Sequence, residues 1–192
     1  MPLKLNVITV STRPGRVGPS VAKWVHEQAV AHGGFEADAV DLDSFNLPIF
    51  DEPKHPRMHD YKHEHTKAWA ASVASADAFV FVSPEYNYFA PPSFVNAVDY
   101  LFDEWSYKVA GIVTYGGPLS GARAAQMEKL MLTSVKVMTV PEGVGIPMVA
   151  THIQDGVFKA PEFLGPSLKM MLDELVTWAG PLKALREAKS KG

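Results

Sequence analysis

The chain contains no cysteine. That excludes disulfides, thiolate nucleophiles and cysteine-ligated zinc or iron–sulfur centres. It lacks any apolar run near the roughly 18 residues that span a bilayer. It also lacks a surplus of positive charge, with 18 Lys+Arg against 21 Asp+Glu and a formal net charge of −3. Nucleic acid and anionic membranes are therefore not expected partners, since both demand a basic surface. Strand-like sequence begins within the first few residues, which predicts no signal peptide and a cytoplasmic protein. Internal repeats, low-complexity tracts and long charge blocks are missing as well, so a single domain over residues 1–192 is expected. What is present is ordinary globular composition, 47% hydrophobic and 20% charged, enough for a sizeable core.

Short apolar runs alternate with helical patterns. The β-branched segment from Leu5 to Val10 reads as a first strand. Gly18-Pro19-Ser20 opens a helix whose apolar stripe is Val21, Ala22, Val25, Ala29 and Val30, with Gly33-Gly34 as its stop. A second strand is predicted near Glu36–Leu42, then a polar, Pro- and His-rich stretch and a helix around Thr66–Ser75. The continuous apolar run from Ala78 to Val82 predicts a strand buried on both faces. Helices near Ser93–Phe102 and Ser120–Leu132 alternate with strands at Val109–Tyr115 and Val135–Val140. A last helix carries Leu168, Met171, Leu172, Leu175 and Trp178 on one face, and Gly180-Pro181 predicts its kink or end. This alternation predicts an α/β three-layer sandwich, with helices on both faces of a five-stranded parallel sheet. The flavodoxin-like strand order 2-1-3-4-5 suits it, with ligands beyond the carboxyl ends of the strands.

Chemistry is therefore sought in the loops after strands one, three and four. The first, Ser11 to Ser20, holds three hydroxyls, two guanidiniums and two glycines ahead of a helix N-terminus, as a phosphate requires. G-x-G-x-x-G cannot be fitted and no Lys follows the glycine, so a static phosphate monoester suits it better than a transferable one; a solvated turn is the plainer alternative. The second, Ser83-Pro84-Glu85-Tyr86-Asn87-Tyr88-Phe89-Ala90-Pro91-Pro92-Ser93, offers rigid amides and aromatic faces to a flat heterocycle, or else simply caps the core or a subunit interface. The third, Thr114-Tyr115-Gly116-Gly117-Pro118-Leu119-Ser120-Gly121, has N–H groups suited to a developing anion, or glycines that merely permit a tight turn.

Taken together the loops make the sequence resemble the NADPH-dependent FMN reductase family of flavodoxin-like proteins, which includes related quinone, azo-dye and chromate reductases. The matching residues are Ser11-Thr12-Arg13 with Ser20, the Ser83-to-Asn87 segment, and Pro92 with the stretch from Asn96 to Leu101; Glu104-Trp105, Tyr115-Gly116-Gly117 and Gly121 complete them. Tyr88 stands where relatives commonly have a small residue, and Val95 where they have Lys. The resemblance implies FMN, with its phosphate at Ser11, Arg13 and Ser20 and its isoalloxazine along Pro84, Glu85, Tyr86 and Asn87. Its pyrimidine edge would approach Tyr115, Gly116 and Gly117. It further implies NADPH or NADH as hydride donor, ping-pong transfer to a flavin, quinone or similar acceptor, no catalytic side chain, and a homodimer or homotetramer. A flavodoxin-like electron carrier and a non-catalytic flavin-binding regulatory protein are the alternatives; the mild charge and the two loop arginines disfavour the carrier.

Four of the seven histidines, His55, His59, His63 and His65, crowd into eleven residues. On a helix the first three would share a face, but Pro56 disfavours that helix, so a polar lid or interface loop is expected and no metal site. Arg16 is read as a second phosphate ligand, a contact for the 2′-phosphate of NADPH, or an exposed arginine. Trp24, Trp69 and Trp178 are expected in the core or an interface.

Overall fold

Five segments become the strands of one parallel sheet in a computed structural model that describes residues 2–189. The strands are β1 (Lys4–Thr9), β2 (Glu36–Asp41), β3 (Ala78–Pro84), β4 (Lys108–Tyr115) and β5 (Val137–Ile146), in the order β2-β1-β3-β4-β5. The helices are α1 (Gly18–His32), α2 (Glu64–Ser75), α3 (Pro92–Asp99), α4 (Ala122–Ser134) and α5 (Leu164–Lys189). β3 and β4 are buried along their whole length, and each holds an unbroken apolar run, from Ala78 to Val82 and from Val109 to Val113, because both faces are covered.

Alternation along each strand sends side chains to two separate cores. Leu5, Val7, Val80 and Val113 pack under α1 and α5 against Val25, Ala29, Leu168, Met171 and Leu172. Ile8, Phe79, Phe81 and Ile112 pack on the other face against Trp69, Phe94, Val98, Trp105 and Leu132. Burying each of the larger side chains is worth about 1.5–3 kcal/mol. α1 ends at Gly33, whose φ of 74° is the left-handed stop. Two carbonyls of the last turn of α2, Val73 and Ala74, accept from buried Lys108 Nζ at 2.6 and 3.2 Å.

Several expected boundaries move. Val30 is exposed and leaves the apolar stripe of α1, and Trp178, 40% exposed, donates to Glu174 instead of joining the core. α3 stops at Asp99 rather than running to Phe102. β5 runs through Pro141 to Ile146 by bulging: Ala110 pairs with Thr139 but Ile112 with Gly143, so the proline sits where no ladder bond is asked of it. α5 passes Gly180-Pro181 without ending. Its later turns are fastened by Lys183 Nζ to Asp77 at 2.8 Å and by Arg186 to Asp77 at 2.5 Å and to the Tyr107 carbonyl at 2.7 Å. A two-stranded hairpin, β6 (Ile153–Gln154) and β7 (Val157–Phe158), carries no readable sequence pattern. No described helix is long and apolar enough to cross a membrane.

Candidate functional site

The first loop leaves β1 at the carboxyl edge of the sheet and enters α1. Ser11 is buried, its Oγ accepting from the Tyr115 hydroxyl at 3.2 Å. A Cβ on Gly18 would lie 2.8 Å from that phenol oxygen and collide with Ser11 Oγ, so glycine lets the helix begin this close to the strand. The start of α1 has no side-chain cap and no acidic residue. Between Thr12 and Gly18 no backbone N–H finds an acceptor among the described residues. The exposed Arg13 guanidinium meets no carboxylate among them either, only the Pro14 carbonyl at 3.4 Å. An unpaired cation, unused N–H groups and a helix dipole together suit an anion.

Arg16 has a different role. Its guanidinium forks onto Asp41 at 2.7 and 2.8 Å, reaches Asp43 at 3.1 Å and donates to the Ser11 carbonyl. The Asp41 hydrogen bond is the largest influence holding its pKa above the ordinary arginine value. This side chain fastens the loop to the end of β2, which corrects its reading as a second phosphate ligand, a 2′-phosphate contact or an exposed arginine. Ser20 Oγ accepts from the Phe158 N–H at 2.6 Å, tying the hairpin to α1 and leaving only its hydroxyl proton to donate.

Beyond β3, Tyr86 and Phe89 exchange backbone hydrogen bonds of 3.0 Å across Asn87 and Tyr88, whose φ values are 50° and 68°. This is a two-residue hairpin with both central residues left-handed, a conformation Asn accepts and Tyr resists. The Tyr88 ring is braced by the Arg123 guanidinium 3.8 Å from its centroid. Arg123 is held in turn by Glu85, which accepts from its N–H and its guanidinium at 3.1 Å each. Glu85 therefore places negative charge at the start of α4. Its own N–H donates to the Tyr115 carbonyl at 3.2 Å, joining the second loop to the third, and Ser93 donates to the Val10 carbonyl at 2.8 Å, joining it to the first.

The Tyr115 ring turns inward. Burial pushes its phenol up to about 12, and its hydroxyl donates to Ser11, so the side chain takes no place at the loop surface. The Gly116 and Gly117 carbonyls accept from Val149 and Met148 at 3.1 Å each, whereas the Gly117 N–H has no acceptor among the described residues. Two open depressions flank the Tyr86–Phe89 turn. One, about 750 Å³, runs past Thr12, Ile49, Phe50, Phe89 and Asn96. The other, about 480 Å³, lies between Glu85, Tyr88, Gly117 and Arg123.

The structure thus brings Ser11, Glu85 and Tyr115 into one hydrogen-bonded unit, with Arg13, Asn87 and Gly117 at its surface. Arg123 and Glu128 stand outside the residues singled out in the sequence, whereas Ser93 and Asn96 stand among them with no role read for either. Asn96 clamps the 48–50 segment, accepting from the Phe50 N–H at 2.9 Å and donating to the Pro48 carbonyl at 2.6 Å. Its membership of the Asn96-to-Leu101 stretch was the available signal. Glu128, buried on α4 beneath Ser83, gives none, because a glutamate on a helix ordinarily reads as surface. The four crowded histidines do not share a helix: His55 caps a 3-10 turn, His59 ends it with φ 51°, and only His63 and His65 stand at the start of α2.

The sequence profile of the NADPH-dependent FMN reductase family matches residues 3–151. An NAD(P)H-dependent FMN reductase of Schizosaccharomyces pombe is 38% identical over 156 residues, covering 80% of this chain and 78% of that protein. One from Nectria sp. is 33% identical over 197 residues, covering 97% and 95%. In fold, the chain resembles the flavoenzyme NAD(P)H:(acceptor) oxidoreductase of Paracoccus denitrificans with a TM-score of 0.74, at 20% identity over 93% of this chain and 98% of that one.

Proposed function

The chain belongs to the NADPH-dependent FMN reductase family and is an FMN-dependent NAD(P)H oxidoreductase, and from that premise we propose that it reduces flavins, quinones or similar acceptors by a ping-pong sequence. Bound FMN would supply the hydride chemistry, accepting from NAD(P)H and passing reducing equivalents to the acceptor. The protein supplies placement and electrostatics. Ser11, Arg13 and Ser20 would hold the phosphate, with the idle N–H groups before α1 completing its shell. Pro84, Glu85, Tyr86 and Asn87 would carry the isoalloxazine, and Tyr115, Gly116 and Gly117 its pyrimidine edge. There the unpaired Gly117 N–H is suited to stabilise negative charge. No side chain is assigned as general acid or base. The exposed Tyr88 and Phe89 rings support a second copy of the chain closing over this edge, as homodimer or homotetramer.

The observation that carries this reading is Arg13, a guanidinium that meets no carboxylate among the described residues, beside N–H groups that find no acceptor among them. Replacing Arg13 by Gln removes a charge-assisted hydrogen bond worth about 1.5–3 kcal/mol. FMN titration followed by flavin fluorescence is expected to show affinity falling about tenfold or more, while riboflavin, which has no phosphate, binds as before. An equal loss for both ligands would move the phosphate away from this loop.

A further inference from the structure

A second cluster of ligating side chains lies where the segment after β2 folds back on the start of α2. Asp51, His63 and His65 each offer one donor atom, and these atoms lie within 4.8 Å of one another. His65 Nε2 stands 3.1 Å from Asp51 Oδ1, and His63 Nε2 3.7 Å from Asp51 Oδ2. The two imidazoles stack with centroids 5.0 Å apart and planes 7° apart.

The parts are held in place without a ligand. The Tyr100 hydroxyl donates to Asp51 Oδ1 at 2.8 Å, the outer-shell contact that orients a ligating carboxylate. Adjacent Glu52, itself buried, accepts from the N–H groups of Lys62 at 2.8 Å and His63 at 3.0 Å. The carboxylate and the backbone bearing both histidines are therefore fixed relative to each other. His63 stands at the N-cap of α2 but makes no capping bond with its side chain, so its imidazole is left for another use.

Two imidazoles and one carboxylate with the remaining positions open form a donor set for a divalent first-row ion such as zinc, nickel or copper. Magnesium and calcium prefer all-oxygen shells. With metal–ligand bonds of about 2.0–2.2 Å, neighbouring donors around one ion stand roughly 3–3.5 Å apart. The 3.1 and 3.7 Å separations already seen are close to that. We propose that Asp51, His63 and His65 bind one divalent transition-metal ion, completed by water, which staples the segment bearing Asp51 to α2. Phe50, the neighbour of Asp51, walls the 750 Å³ depression beside the Tyr86–Phe89 turn, so occupancy would fix that wall. The proposal stands independently of the flavin reading.

The test uses the full chain, stripped with a chelator and dialysed against Zn²⁺, with retained zinc measured by elemental analysis and the melting temperature recorded with and without the ion. One zinc per chain and a raised melting temperature are expected. The double variant H63Q/H65Q and the shape-conserving D51N are each expected to lose affinity at least tenfold, and Y100F about tenfold through the lost outer-shell bond. The control H55Q/H59Q, which alters the other two histidines of the same segment, should bind zinc as the parent does. No retained zinc at equimolar concentration, or equal losses in H55Q/H59Q and H63Q/H65Q, would overturn the site.

Discussion

Glu128 lies wholly buried on α4, directly beneath the point where β3 becomes the Pro84–Asn87 loop. Ser83 Oγ donates to its Oε1 at 2.5 Å, while Oε2 has no partner among the described residues. Desolvation outweighs the Ser83 bond and pushes the carboxyl up to about 8, so it stays protonated at neutral pH. Because the folded-state value exceeds the unfolded one, the linked stability is fully present below the unfolded pKa and drains away as pH rises toward 8. The isosteric, non-titrating Glu128→Gln should therefore gain on the parent steadily between about pH 4.5 and 8 and level off above that. Melting curves across this range should show a difference that grows to several degrees; a constant offset would mean that Glu128 is already ionised in the fold. At the same scale, residue types in the three loops were legible in the sequence, but their engagements were not. Arg13 and Arg16 read alike, and only the acids that end β2 show that one is occupied and the other free. The inward turn of Tyr115 was equally hidden, since a loop-end tyrosine carries no mark of which face it takes.

α5 shows how an element outlasts its own sequence signals. Pro181 removes a backbone donor from the helix interior, which ordinarily breaks or kinks it. The turns beyond it persist because Lys183 and Arg186 converge on Asp77, at the amino end of β3, and Arg186 also caps the Tyr107 carbonyl. Arg186→Met should loosen those turns alone. With the pair partly exposed and so screened, the loss is about 1 kcal/mol, or roughly fivefold faster amide exchange over residues 183–189 with residues 168–179 unaffected. Uniformly unchanged exchange would mean that packing, not these contacts, carries the helix past the proline. β3 and β4 were legible because strands buried on both faces carry long apolar runs, here from Ala78 to Val82 and from Val109 to Val113. β5 was legible only to Val140, because Pro141 reads as a stop unless a bulge absorbs it. Strands as short as Ile153–Gln154 and Val157–Phe158 hold too few residues to display a period at all.

Across the whole molecule, the strand order β2-β1-β3-β4-β5 places the loops after β1, β3 and β4 at one edge of the sheet, around the point where the order reverses. The order follows from alternating patterns and right-handed crossovers, which is why the sequence conveys it well. What topology cannot convey is that the loops are cross-tied, Ser11 to Tyr115, Glu85 to Tyr115 and Ser93 to Val10, into one surface whose cation and N–H groups are unpaired among the described residues. This surface is proposed to bind FMN and to present it to NAD(P)H and then to an acceptor. The most direct test is an anaerobic titration of the FMN-loaded protein with NADPH and with NADH, read by visible absorbance, followed by quinone. Flavin bands that bleach with one equivalent of NADPH or NADH, and return when quinone is added after the oxidised nucleotide has been removed, are expected. Bands that persist with both nucleotides would contradict the proposal and leave a flavin-binding protein without reductase activity.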